Sequence, residues 1–188
     1  MKCNLLLFAC LLCFSLSAVA QKNPYLLTVP GSAALRPAPE ETKVKFDYKQ
    51  LNAPLPKFRI YNHENKEITT DVLETGGNLF VMMFNPTCEH CEDQTMLFKE
   101  NIALFQKSKI LLIATPVQVA NIGYFQSNTR FSDVKDVMTV SVDSAKLIEK
   151  LYRYEEMPQI NIYDGKTHRL IKTTNSFQPL DSLRQYIQ

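Results

Sequence analysis

An unbroken apolar run, Leu79-Phe-Val-Met-Met-Phe84, is followed after three residues by Cys88-Glu-His-Cys91. A run of this length and composition suits a central strand covered on both faces, because a strand with one wet face would alternate with polar residues. Residues 89–105 then take up a helical pattern, so the cysteine pair falls where a buried strand gives way to a helix. Cysteines three apart on a helix share a face, and their sulfurs can close a short disulfide or part without unfolding anything. Thr95, Phe98, Ile102 and Phe105 continue the face of Cys91 at helical spacing. Cys91 is therefore expected to turn toward the core and Cys88 to sit exposed at the helix start.

The rest of the chain can be placed around this junction. A second apolar run covers residues 110–114 and a more alternating one residues 137–142. A helical stretch opens with Thr115 as N-cap and Pro116 in the first helical position; another opens with Asp143 and carries Ala145, Ile148 and Tyr152. Upstream, residues 58–62 and 67–70 read as an antiparallel hairpin around a turn at 63–66, and Gly76-Gly77 breaks the chain after it. Downstream come residues 159–163, an Asp164-Gly165 turn, residues 168–173 and a short helix with Leu180, Leu183 and Ile187 on one face. Strand and helix alternate and then a hairpin closes the chain, which makes it an α/β protein with one domain over residues 51–188 and no internal repeat.

The N-terminus has the layout of a secretory signal. Lys2 precedes an apolar run from Leu5 to Phe14, and Ala18-Val-Ala20 supplies a cleavage site, so residues 1–20 are expected to be removed and the chain exported, into the periplasm. Leu7-Phe-Ala-Cys10 is a poor lipidation site placed very early, and the apolar segment falls short of the ~20 residues of a comfortable membrane span, which makes tethering by lipid or uncleaved signal the lesser alternative. Six of the ten prolines fall before residue 57, and residues 21–50 read as an extended proline-rich lead-in with a strand at 44–48. Cleavage discards Cys3, Cys10 and Cys13, leaving Cys88 and Cys91 alone, so a fold stapled by several disulfides is excluded. Loss of Lys2 takes the formal charge from +2 to +1, and no strong field favours nucleic acid or an anionic membrane. A monomer is expected.

Position also sets the reactivity of the pair. A thiolate at a helix N-terminus faces unsatisfied backbone N–H groups and the positive end of the helix dipole, which together favour its charged form. Cys88 is accordingly the nucleophile and Cys91 the resolving thiol. His90 can favour the Cys88 thiolate, whereas Glu89 and, more weakly, Glu92 and Asp93 oppose it by like charge, so the reduction potential cannot be read from these residues. Half of a zinc knuckle is the competing reading, but zinc needs four ligands, there is no second cysteine pair, and His63 and His168 read as turn residues. No metal and no cofactor are expected. A static structural disulfide stays open as an alternative, although a loop this short restrains the unfolded chain little.

Ala53-Pro-Leu-Pro-Lys-Phe-Arg-Ile60 with the hairpin after it, the strand running into Thr87-Cys-Glu-His-Cys91, and the late Met157-Pro158 before a strand resemble the exported thioredoxin-like oxidoreductases of the TlpA/ResA and redoxin kind. The resemblance extends from about Ala53 to the C-terminus. It implies a thioredoxin-like fold, a central mixed sheet flanked by helices and here extended by the N-terminal hairpin. It also implies thiol-disulfide exchange with exported proteins that carry cysteines, run as a reduction, with electrons returned by a membrane-bound thiol donor. In that family the proline matching Pro158 is cis and packs beside the cysteines, so that Met157, Pro158 and Thr87 would contact the substrate chain; cis bonds are essentially a proline feature.

The sequence departs from the family at three places. It has no tryptophan, and Thr87 stands where the family usually places one; Gln94 stands where the TlpA/ResA branch commonly carries a glutamate; residues 79–84 contain no acid like thioredoxin's buried aspartate. Two further readings stay open: a peroxidase of the peroxiredoxin type, against which stands Asn85 in place of that site's threonine, and a non-catalytic binding module stapled by its two cysteines.

Overall fold

The computed structural model describes residues 47–62, 66–70, 76–134, 137–143, 146–152 and 156–187. The export signal, the lead-in as far as residue 46, His63 and Ala145 lie outside the described residues. Seven strands form one sheet: β1 (Arg59–Asn62), β2 (Glu67–Thr69), β3 (Leu79–Met83), β4 (Lys109–Ala114), β5 (Met138–Val142), β6 (Gln159–Tyr163) and β7 (Leu170–Asn175). Their spatial order is β2-β1-β5-β4-β3-β6-β7, with β3, β4 and β5 parallel and both flanks antiparallel. Among the described residues, four α-helices connect or close the sheet: α1 (Glu89–Glu100), α2 (Val119–Thr129), α3 (Leu147–Tyr152) and α4 (Leu180–Arg184).

All five residues of β3 are buried, as an apolar strand hydrogen-bonded on both edges requires. Phe80 and Met82, followed by Phe84, face a core with Cys91, Phe98, Phe105, Phe125, Ile160 and Leu183. Leu79, Val81 and Met83 face a second core with Phe58, Ile60, Leu111, Ile113, Tyr152 and Tyr163. Phe80, Phe98 and Phe105 meet edge to face at centroid distances of 5.3 to 6.2 Å, the geometry that aromatic quadrupoles favour. This cluster fixes α1 over the strand that feeds it.

Several boundaries differ from those the sequence suggests, each for a local reason. The helix expected over 89–105 ends at Glu100: the Asn101 side chain donates to Leu97 O at 2.8 Å, and the Ile102–Phe105 segment continues as 3-10 helix. Thr115 precedes Pro116 as expected, but it makes no side-chain cap, and Pro116–Gln118 form a 3-10 turn before α2 begins. Asp143 lies four residues ahead of the next helix. Its carbonyl accepts the N–H of Lys146, whose φ of 52° is left-handed, and α3 starts at Leu147. Asp47 and Tyr48, expected at the end of a strand, lie in a turn.

The last hairpin is also wider than a two-residue turn. Asp164 Oδ1 accepts the N–H groups of Lys166 and Thr167 and the Thr167 hydroxyl, and β7 begins at Leu170. Residues 52–55, a segment without a strand pattern of its own, pair with the chain leading into β7 through Asn52 N–Leu170 O at 2.7 Å, Leu170 N–Ala53 O at 2.8 Å and Leu55 N–His168 O at 2.8 Å.

Gly165 lies where no side chain fits, since a Cβ there would fall 1.7 Å from the Gly77 carbonyl oxygen. Its N–H donates to Asn78 Oδ1 at 3.2 Å, while Asn78 Nδ2 donates to Tyr186 O at 2.8 Å, so one buried amide joins the hairpin tip to the C-terminal segment. Gly165→Ala is expected to destabilise the protein by about 3 kcal/mol, as overpacking against rigid backbone does, with a matching fall in the urea midpoint at unchanged m-value.

Candidate functional site

The site lies beyond the C-terminal end of β3, where the chain turns before α1. Asn85 opens the turn: its carbonyl accepts the Cys88 N–H at 3.0 Å, and its Oδ1 accepts both the Thr87 N–H at 3.1 Å and the Thr87 hydroxyl at 3.0 Å. Asparagine first and proline second is a strong turn preference, the asparagine because its side chain can hold the backbone two residues on, the proline because its φ is already set. This is the signal through which Asn85, absent from the expected site residues, could have been found.

Cys88 is the N-cap residue of α1, extended at φ −97° and ψ 118°, with its carbonyl accepting the N–H groups of Cys91 at 2.9 Å and Glu92 at 3.1 Å. It is half-buried, whereas Cys91 is fully buried, and both are free thiols. The Cys88 Sγ approaches the Met157 carbonyl oxygen at 4.0 Å, which brings together two residues 69 apart in sequence. The Met157–Pro158 peptide bond is cis, and Pro158 is buried. Thr87 and His90 are exposed, Thr87 with its hydroxyl turned to Asn85.

The two sulfurs differ in their access to solvent. Burial pushes the Cys91 thiol well above its ordinary value of 9.0; the Asn85 N–H opposes this, and a hydrogen bond shared with Cys88 together with the charges of Cys88 and Glu92 reinforces it. Gln94, one turn after Cys91, is fully buried; its Oε1 accepts the Gln178 N–H at 2.7 Å and ties α1 to the segment after β7. An amide here holds structure but cannot take up a proton. Among the described residues, no group of three or more His, Cys, Asp or Glu is arranged to hold a metal ion, and no helix is long and apolar enough to cross a membrane.

No family model and no curated protein matches the sequence. Solved structures do match. A parallel β3-α1-β4 unit followed by the antiparallel β6-β7 hairpin and α4, with the cysteine pair at the start of α1, is a thioredoxin-like fold, the fold class that the sequence resemblance implied. The chain is similar to a putative thiol:disulfide interchange protein DsbE from Chlorobium tepidum, at 16% identity over 73% of this chain and 95% of that one, with a TM-score of 0.60. It is also similar to a secreted Mycobacterium tuberculosis disulfide oxidoreductase homologous to E. coli DsbE (16% identity, 69% and 93% covered, TM-score 0.57) and to the thioredoxin domain of a thiol-disulfide oxidoreductase from Bacteroides vulgatus (13%, 74% and 99%, 0.59).

The buried thiol makes stability depend on pH in a definite direction. Above about pH 9 the unfolded chain loses the Cys91 proton while the folded protein keeps it, so the stability present below that value declines as pH rises. Under reducing conditions, unfolding free energies are expected to fall by roughly 1 kcal/mol per pH unit above pH 9, and Cys91→Ala should remove that part of the slope. Tyr152 and Tyr163, also pushed above their ordinary 10.0 by burial, add to the slope only above pH 10 in both proteins.

Proposed function

We propose that this chain is an exported thiol-disulfide oxidoreductase acting in the periplasm, with Cys88 as nucleophile and Cys91 as resolving thiol. The observation that carries the reading is the asymmetry of the pair: a half-buried thiol at the N-cap of α1 beside a fully buried one whose proton is held by desolvation. A static staple has no use for such a difference in access. Exchange has, because only one sulfur should meet the substrate. Fold similarity to proteins described as a thiol:disulfide interchange protein and a secreted disulfide oxidoreductase supports the same reading.

In the reducing direction, the Cys88 thiolate attacks one sulfur of a substrate disulfide, forms a Cys88–substrate bond and expels the other sulfur as a thiolate. Cys91 then attacks the Cys88 sulfur; its proton goes to the departing substrate thiolate, and the Cys88–Cys91 disulfide forms as two electrons pass to the substrate. The substrate is an exported protein, held as an extended chain against Met157, Pro158 and Thr87, with His90 favouring the Cys88 thiolate. A membrane-bound thiol donor would restore the dithiol.

Turnover of a model protein disulfide with dithiothreitol as donor tests this. Cys88→Ser is expected to lower the rate at least 10³-fold, the scale on which loss of a covalent nucleophile acts, and Cys91→Ser to accumulate the mixed disulfide, visible by mass spectrometry. A glutathione titration gives the direction: a potential near −270 mV fits a reductase and one near −120 mV a disulfide-forming oxidant. A wild-type pair that exchanges with no model disulfide would overturn the catalytic reading in favour of a staple.

A further inference from the structure

One residue holds the turn that leads into the cysteine pair without taking part in the exchange. The Asn85 carbonyl accepts the Cys88 N–H at 3.0 Å, so the main chain at this position fixes the N-cap residue of α1. What keeps that main chain in place is the side chain. Pro86 is buried and its ring sets one φ of the turn, which leaves Thr87 as the free joint between Asn85 and Cys88. Thr87 is exposed, and its N–H and hydroxyl both end on Asn85 Oδ1.

We propose that Asn85 is a positioning residue for the exchange reaction, its side-chain oxygen locking the 85–88 turn so that the Cys88 sulfur stays within attack range of Cys91. This rests on the oxidoreductase reading above. Resolution is intramolecular, and its efficiency depends on how much of the time the two sulfurs lie in reactive geometry. A turn released at Thr87 spends less of its time there. The consequence belongs to the pair and not to Cys88 alone, which would still react singly with an external disulfide.

The test compares Asn85→Ala and Asn85→Ser with wild type in two measurements. The first is the equilibrium constant for forming the Cys88–Cys91 disulfide in glutathione buffers; the second is the rate at which Cys88 alone, in a Cys91→Ser background, reacts with a small aromatic disulfide. Losing the lock, worth roughly one ordinary hydrogen bond, is expected to lower the constant about five- to tenfold in Asn85→Ala, with partial recovery in Asn85→Ser, whose hydroxyl can accept the same N–H more weakly. The single-thiol rate should stay within about twofold. Should the alanine variant fail to fold, Thr87→Val removes one of the two bonds and is expected to move the constant about threefold in the same direction. A constant unchanged in Asn85→Ala, with wild type exchanging normally, overturns the positioning role; a wild type that does not exchange overturns the oxidoreductase reading and this inference with it.

Discussion

Burial of β3 on both faces is the constraint to which the other elements answer. A five-residue strand with every side chain inside needs two hydrogen-bonded neighbours and two apolar covers, and β4, β6 and the two cores supply them. Each large side chain so buried contributes roughly 1.5–3 kcal/mol relative to exposure, which makes the register of this strand expensive to shift. Because β3 cannot slide, the point where it ends is fixed, and with it the turn from which α1 starts. The cysteine pair takes its position from the core and not from any bond of its own.

That anchoring gives the two thiols unlike surroundings although they are three residues apart. The helix geometry rotates Cys91 onto the face of Phe98 and Phe105, inside the aromatic cluster, and leaves Cys88 at the end of the helix where backbone N–H groups are unsatisfied. Desolvation dominates at Cys91, which accordingly keeps its proton. The far side of the site comes from the other end of the domain: antiparallel pairing of β6 with β3 sets Gln159 opposite Met83, and so carries the Met157 carbonyl to the Cys88 sulfur. The Gln94–Gln178 and Asn78–Gly165 bonds make comparable long links with buried amides, which bring no charge into the core.

Much of this could be read from the chain. The buried strand, the helix face running from Cys91 through Phe98 to Phe105, and the position of Cys88 at the helix start all follow from local periodicity, which a single stretch of sequence contains. Element ends were less legible. Asn101 cuts α1 short with its own side chain, Lys146 takes a left-handed conformation that delays α3, and the Asp164 carboxylate gathers three donors into a wider turn than Asp-Gly suggests. Each is a side-chain or backbone choice made within a few residues that leaves the hydrophobic pattern untouched. Residues 52–55 carry no strand pattern of their own, and their pairing partner lies more than a hundred residues away.

The sequence alone determined the alternation of strands and helices, the placing of two thiols at one junction and which of them turns inward, because these depend on periodicity and on the ends of helices. Only the tertiary structure decided the sheet order, the approach of Met157 to Cys88, and the degree to which burial raises Cys91. Those depend on distances between residues far apart in the chain and on the solvent excluded when they meet, quantities that exist only once the two cores have closed over β3.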